Sequence, residues 1–146
     1  MIERPFTQNY AHPPTRQSLL NFHMIVPQID SALDKAEQGD PEAMCYLGIC
    51  LDIGFGIPAD PHVASLWFLF AADRGNAHAQ CYLGLFYYFG RGVGKDINEA
   101  LRLLEQSAAQ GKDLALYCLG MHNAGVLEYD KDLVMDDYLG LLEQAP

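Results

Sequence analysis

Gly90-Arg91-Gly92-Val93-Gly94-Lys95 is the stretch that most resembles a ligand-binding motif, because glycine-rich turns ending in lysine can cradle phosphate groups. A phosphate loop needs four residues between its first glycine and Gly-Lys, then serine or threonine for the metal, all following a strand. Here Gly90 and Gly94 enclose three residues, Asp96 follows Lys95, and the segment before them has helical patterning. The run therefore reads as turn glycines, and no cofactor is expected.

The five histidines, His12, His23, His62, His78 and His122, form no His-Glu-x-x-His pair. His78 and His122 fall where a helix could present them outward. Neither has a carboxylate or cysteine at the spacing of a catalytic triad or a metal site. A Gly-x-Ser-x-Gly elbow is also missing. Cys45, Cys50, Cys81 and Cys118 make no Cys-x-x-Cys pair, and they read as reduced, small packing residues. Together these patterns predict no catalytic, cofactor or metal site and a protein that is not an enzyme. A hydrolase-type site of carboxylate and histidine on the inner face of the helical array is the minor alternative.

Charge and composition narrow the classes further. Nine Lys and Arg stand against 19 Asp and Glu, a net charge of -10 with a pI near 4.6. A nucleic-acid backbone would be repelled over much of such a surface. Half of the 146 residues are hydrophobic, which suits one domain with a continuous core. The opening MIERPFTQNYAHPPTRQ lacks the apolar centre and cleavage site of a secretory signal, and no run approaches the roughly 18 apolar residues of a spanning helix. The expectation is a cytoplasmic protein that engages neither nucleic acid nor membrane.

What remains is binding through side chains. Phe86, Tyr87, Tyr88 and Phe89 are consecutive aromatics, and on a helix turning ~100° per residue they cannot all face one core. Which way each points depends on the repeat that contains them. Shifted by 36 positions, the sequence superimposes Ala36, Ala72 and Ala108; Gly39, Gly75 and Gly111; Ala43, Ala79 and Ala115. The same shift superimposes Leu47, Leu83 and Leu119; Gly48, Gly84 and Gly120; Asp60, Asp96 and Asp132. A fixed period of this size marks a stacked array of structural repeats.

Each unit reads as helix, glycine turn, helix. Asp40 and Pro41 suit the cap and first position of a helix running to about Asp52, and Gly54 and Gly56 match Gly90 and Gly92 as turn glycines. The segment from Val26 to Gln38 has Ile29, Ala32, Leu33 and Ala36 at helical spacing before Gly39, and reads as the second helix of a unit lacking its first. The third copy, Asp113 to Gln144, places Val126 and Glu128 where the turn glycines stood. Its last helix carries Asp132, Asp136, Asp137 and Glu143 and is expected as a polar terminal cap. Residues 1–18, with Pro5, Pro13 and Pro14, are expected as an extended arm, and residues 19–146 as the repeat domain.

The pattern Ala79-x3-Leu83-Gly84, Tyr87, Gly90-x-Gly92-Val93, Asp96, Ala100, Ala108 and Gln110-Gly111 resembles the Sel-one-like repeat, a relative of the tetratricopeptide repeat. Residues 36–75 are similar, with Leu51 where that family prefers tyrosine and Trp67 at its frequent tryptophan position. The resemblance covers about residues 26–146. It implies an all-α fold, a right-handed superhelix of about three helix-turn-helix repeats, used in most members as an adaptor or regulatory scaffold. The disulfide that a cysteine-rich secreted branch carries in every repeat has no counterpart here, so the β-lactam binding of that branch is not implied.

In the repeat frame, Leu47, Gly48 and Leu51, with Leu83, Gly84 and Tyr87, should pack against the paired helix. The other positions form a second stripe: Tyr46, Ile49 and Ile53, then Tyr82, Leu85 and Phe89, then Cys118 and Met121. The resemblance to tetratricopeptide arrays implies that these helices line the inner surface. The predicted partner-binding residues are therefore Tyr46, Ile49, Ile53, Tyr82, Leu85, Tyr88, Phe89 and Met121. Their partner is expected to be another protein that presents a short helix or a basic surface, the latter steered by Glu128, Asp130, Asp132, Asp136 and Asp137. A bacterial-type adaptor, regulator or immunity protein fits this description. The alternatives are a homodimer that hides the stripe, or a stripe buried by the superhelix or by the N-terminal arm.

Overall fold

The computed structural model describes residues 27–144, so the arm expected over residues 1–18 lies outside the described residues. Among the described residues there are seven helices and no strand: α1 (Pro27–Glu37), α2 (Pro41–Ile53), α3 (Pro61–Asp73), α4 (Ala77–Phe89), α5 (Ile97–Ala109), α6 (Asp113–Asn123) and α7 (Lys131–Leu142). The fold is the expected all-α array of helix pairs stepping by 36 residues.

Side-chain caps set the helix starts. Asp40, Asp60, Asn76 and Asp96 each accept a backbone N–H from the first turn, and Pro41 and Pro61 occupy positions where no intrahelical N–H is needed. Helices α2 and α4 stop at Gly54 and Gly90, which take the left-handed conformation and return their N–H to Cys50 and Phe86.

Close glycine contacts determine how each hairpin closes. A Cβ on Gly48 would stand 2.5 Å from the Phe68 ring of α3, and one on Gly84 would stand 3.0 Å from Leu104 of α5. The absence of a side chain thus lets α3 pack onto α2 and α5 onto α4. The face expected to meet the paired helix does so in these two units.

The third hairpin opens. Space around Gly120 of α6 is empty to 4 Å, and Leu116 and Tyr117 are about half exposed. In the 36-residue frame, α7 would bring Asp136, Gly140 and Glu143 to positions held by Ala100, Leu104 and Ser107 in α5, all fully buried. Two carboxylates and a glycine cannot fill that seam. The cap shifts as well: Asp60 and Asp96 cap α3 and α5, but α7 is capped by Asp130, two residues before the expected Asp132. Released from that role, α7 turns back along the array.

The core is continuous through the paired helices. Trp67, Phe68, Tyr82, Tyr87, Met44, Leu47 and Leu51 are among its largest fully enclosed side chains. Cys45, Cys50, Cys81 and Cys118 are buried free thiols in this core.

Candidate partner-binding groove

Helices α2 and α4, with the start of α6, form one side of the array, and α7 lies along it. Tyr129, just before α7, packs edge-on to Phe89 at the end of α4, with ring centroids 5.4 Å apart. At the other end, Leu141 and Gln144 share a pocket with Glu42, Cys45, Tyr46, Ile49, Asn76 and His78, near the starts of α2 and α4. α7 therefore runs antiparallel to both helices. Its inward residues, Val134, Asp137, Tyr138 and Leu141, are spaced i, i+3, i+4, i+7, the signature of a helix seated in a groove.

Two polar anchors fix its register. The Tyr138 hydroxyl donates to Asp52 Oδ2 at 2.8 Å, while Arg91 Nε donates to Asp52 Oδ1 at 2.7 Å. Asp52 is thus a buried carboxylate held by a cation from the next repeat. One residue earlier, Asp137 accepts from the Tyr82 hydroxyl and from Lys112 Nζ, the latter at 2.6 Å. Lys112 also lies 5.5 Å from the centre of the Tyr82 ring, and its side chain is 9% exposed. Burial pushes the hydroxyls of Tyr82 and Tyr138 well above the usual tyrosine range, with the neighbouring carboxylates adding to the shift, so both remain donors. The Tyr138 ring meets Tyr82 edge-on at 4.7 Å, and both lie against Phe68.

The predicted stripe lies at this junction. Tyr46, Ile49, Tyr82 and Leu85 are buried, and Ile53, Tyr88, Phe89 and Met121 are half-buried. α7 and the segment before it reach Tyr46, Ile49, Ile53, Tyr82 and Phe89, whereas the Tyr88 hydroxyl pairs with Nδ1 of His122 at 2.9 Å. Residues the sequence reading did not single out are Asp52, Arg91, Lys112 and Tyr138. A carboxylate at Asp52, next to the end of a helix that is otherwise apolar after Glu42, was the available signal. Of the expected acidic edge, Asp130 caps α7 and Asp137 turns inward, leaving Glu128, Asp132 and Asp136 exposed.

Among the described residues, no group of three His, Cys, Asp or Glu side chains could hold a metal ion, and no helix is long and apolar enough to cross a membrane. The thiols are turned from reactivity: burial pushes Cys50 up to about 12 and Cys118 up to about 11. His62 contacts the Gly92 carbonyl at 3.0 Å, so it helps to brace the Gly90–Lys95 turn. The pocket beside His78 is open to solvent and has a volume of about 60 Å³.

Residues 41–76 and 77–112 match the Sel1 repeat in two consecutive copies. The chain is a Sel1-like repeat protein. Solved structures agree: a Sel1 repeat protein from Oxalobacter formigenes is 38% identical with a TM-score of 0.58, covering 59% of this chain and 25% of its own. The c5321 protective antigen of uropathogenic Escherichia coli, which displays an SLR fold, is 28% identical with a TM-score of 0.62, covering 80% and 25%. Cysteine rich protein B of Helicobacter pylori, at 20% identity and a TM-score of 0.58 over 60% of this chain and 66% of its own, shares the fold. This chain thus spans about a quarter of the first two relatives. No curated protein matches it. Sel1 repeat proteins are generally scaffolds for protein–protein interaction, a non-enzymatic type.

Proposed function

We propose that this chain is a protein-binding module of the adaptor, regulator or immunity type, whose groove between α2, α4 and α6 receives an amphipathic helix of another protein. The observation that carries the reading is that a helix already lies there, with apolar residues on the aromatic stripe and polar residues on buried partners. Ile53, Tyr88, Phe89 and Met121 stay half exposed beside it and would be the first contacts of an incoming chain. The exposed Glu128, Asp132 and Asp136 would speed the approach of a partner with a basic surface.

The test is the affinity of a captured partner for Tyr88→Ala, Phe89→Ala and Ile53→Ala chains. Each should bind at least about tenfold more weakly with helical content unchanged, the loss expected for an interface anchor. Unchanged affinity in all three, with loss on substituting Glu105 of the outer helix α5, would move the interface elsewhere.

A second reading, a homodimer, is favoured by a separate observation. Among the described residues, Leu116 and Tyr117 of α6 are half exposed and nothing stands within 4 Å of a side chain added at Gly120. Light scattering decides between the readings: a dimer dispersed by Leu116→Glu supports self-association, and a monomer at micromolar concentration rejects it.

A further inference from the structure

The way α7 is held specifies what the groove selects, an inference that rests on the groove being the binding surface. Most of α7 is unsuited to permanent attachment. It buries Val134 and Tyr138, where α2 buries an unbroken run from Ala43 to Asp52. It contains Gly140, a poor helix former, and it is joined to α6 by residues 124–130, which form no helix or strand. A helix with few buried side chains, joined to the array through a stretch of irregular backbone, is the one that opens first.

The groove itself is built in detail. Lys112 and the Tyr82 hydroxyl converge on one carboxylate, and Asp52, braced by Arg91, accepts one phenol. With α7 lifted away, a buried ammonium and a buried carboxylate would each lose a partner, so the groove favours a helix that restores both. We propose that α7 is an internal stand-in for a partner helix, and that the partner carries an acidic residue directly followed by tyrosine, flanked by apolar residues three positions before the acid and three after the tyrosine. The partner enters by displacing α7, which swings on residues 124–130. Charge complementarity at Lys112 selects a carboxylate at that one position of the seated helix, and the partner's surface outside the groove is free to be basic.

Cys45 reports the exchange, because it is buried in the pocket closed by Leu141 and Gln144. The probe is a synthetic peptide of residues 127–144, added to the full-length chain and followed by fluorescence anisotropy and by alkylation of Cys45. Tyr138→Ala in the full chain should speed Cys45 alkylation at least about tenfold, and the free peptide should then bind and restore protection. Binding to the unsubstituted chain should be at least tenfold weaker, because the tethered helix competes. Peptides with the tyrosine changed to alanine or the preceding acid to asparagine should bind at least tenfold more weakly. If Tyr138→Ala costs the array its helical signal, Tyr138→Phe, which removes only the bond to Asp52, should give the same order of effects at smaller size.

No peptide binding to a folded variant, or equal binding of the acid-to-asparagine peptide, would overturn the proposal. Failure here with a captured partner still dependent on Tyr88 and Phe89 leaves the groove reading standing. Peptide binding with a partner indifferent to those residues would reject the groove as the partner's site and with it the stand-in role of α7, leaving only a terminal helix that can detach.

Discussion

α3 and α7 each follow a helix that ends its repeat's first half, but only α3 closes a hairpin. α3 puts Ala64, Trp67 and Phe68 into the seam with α2, all almost fully buried, and Gly48 receives the Phe68 ring. α7 offers Asp136, Leu139 and Gly140 at the matching places, and the seam at Gly120 stays open. Position in the repeat therefore does not decide where a helix goes. The match of volume and polarity at three or four seam positions does.

The strongest way to break this contrast is at its hub. Phe68 touches Tyr82, Phe86 and Tyr138 and faces Gly48, so Phe68→Ala should cost about 3–5 kcal/mol and unfold the first hairpin and the groove floor together in thermal denaturation. Next come the glycines. Gly48→Ala forces a methyl into the Phe68 ring and should destabilise by about 1–3 kcal/mol. Gly120→Ala meets open space at an ordinary helical position and should be neutral or stabilising by about 0.5–1 kcal/mol, so urea titration should separate two substitutions with the same chemistry.

The smallest expected effect is in pH. Burial lowers the His78 pKa, with Lys112 adding to the shift, so the folded state binds its proton less readily than the unfolded chain. Stability from this group is complete above the ordinary value of 6.5 and is lost as pH falls below it. His78 is half exposed, so the slope is shallow, and His78→Gln should flatten it in denaturant titrations between pH 7 and 5.

Much of the repeat was legible in the residues. Asp40, Asp96, Gly54 and Gly90 perform the roles their types and positions imply, because capping and left-handed turns are local matters. The side of α2 and α4 that carries Tyr46, Ile49 and Tyr82 was legible from the frame set by Gly48 and Gly84, but these residues are buried, and periodicity gave no sign of what covers them. The path of α7 was not. Asp132 continued the 36-residue series and made α7 look like a third outer helix, whereas Asp130 caps it. The correcting signal was present one turn later, where Asp136 and Gly140 fall at seam positions. The pairing of Tyr138 with Asp52 spans 86 residues, and no periodicity links them.

The most direct measurement is native-state hydrogen exchange of α7 against α4 and α5. Amides of Val134 to Leu142 should exchange through a local opening well below the global unfolding free energy, with α4 and α5 exchanging only on global unfolding. If α7 is protected to the same level as α4, it is a fixed part of the array and not the occupant of its groove.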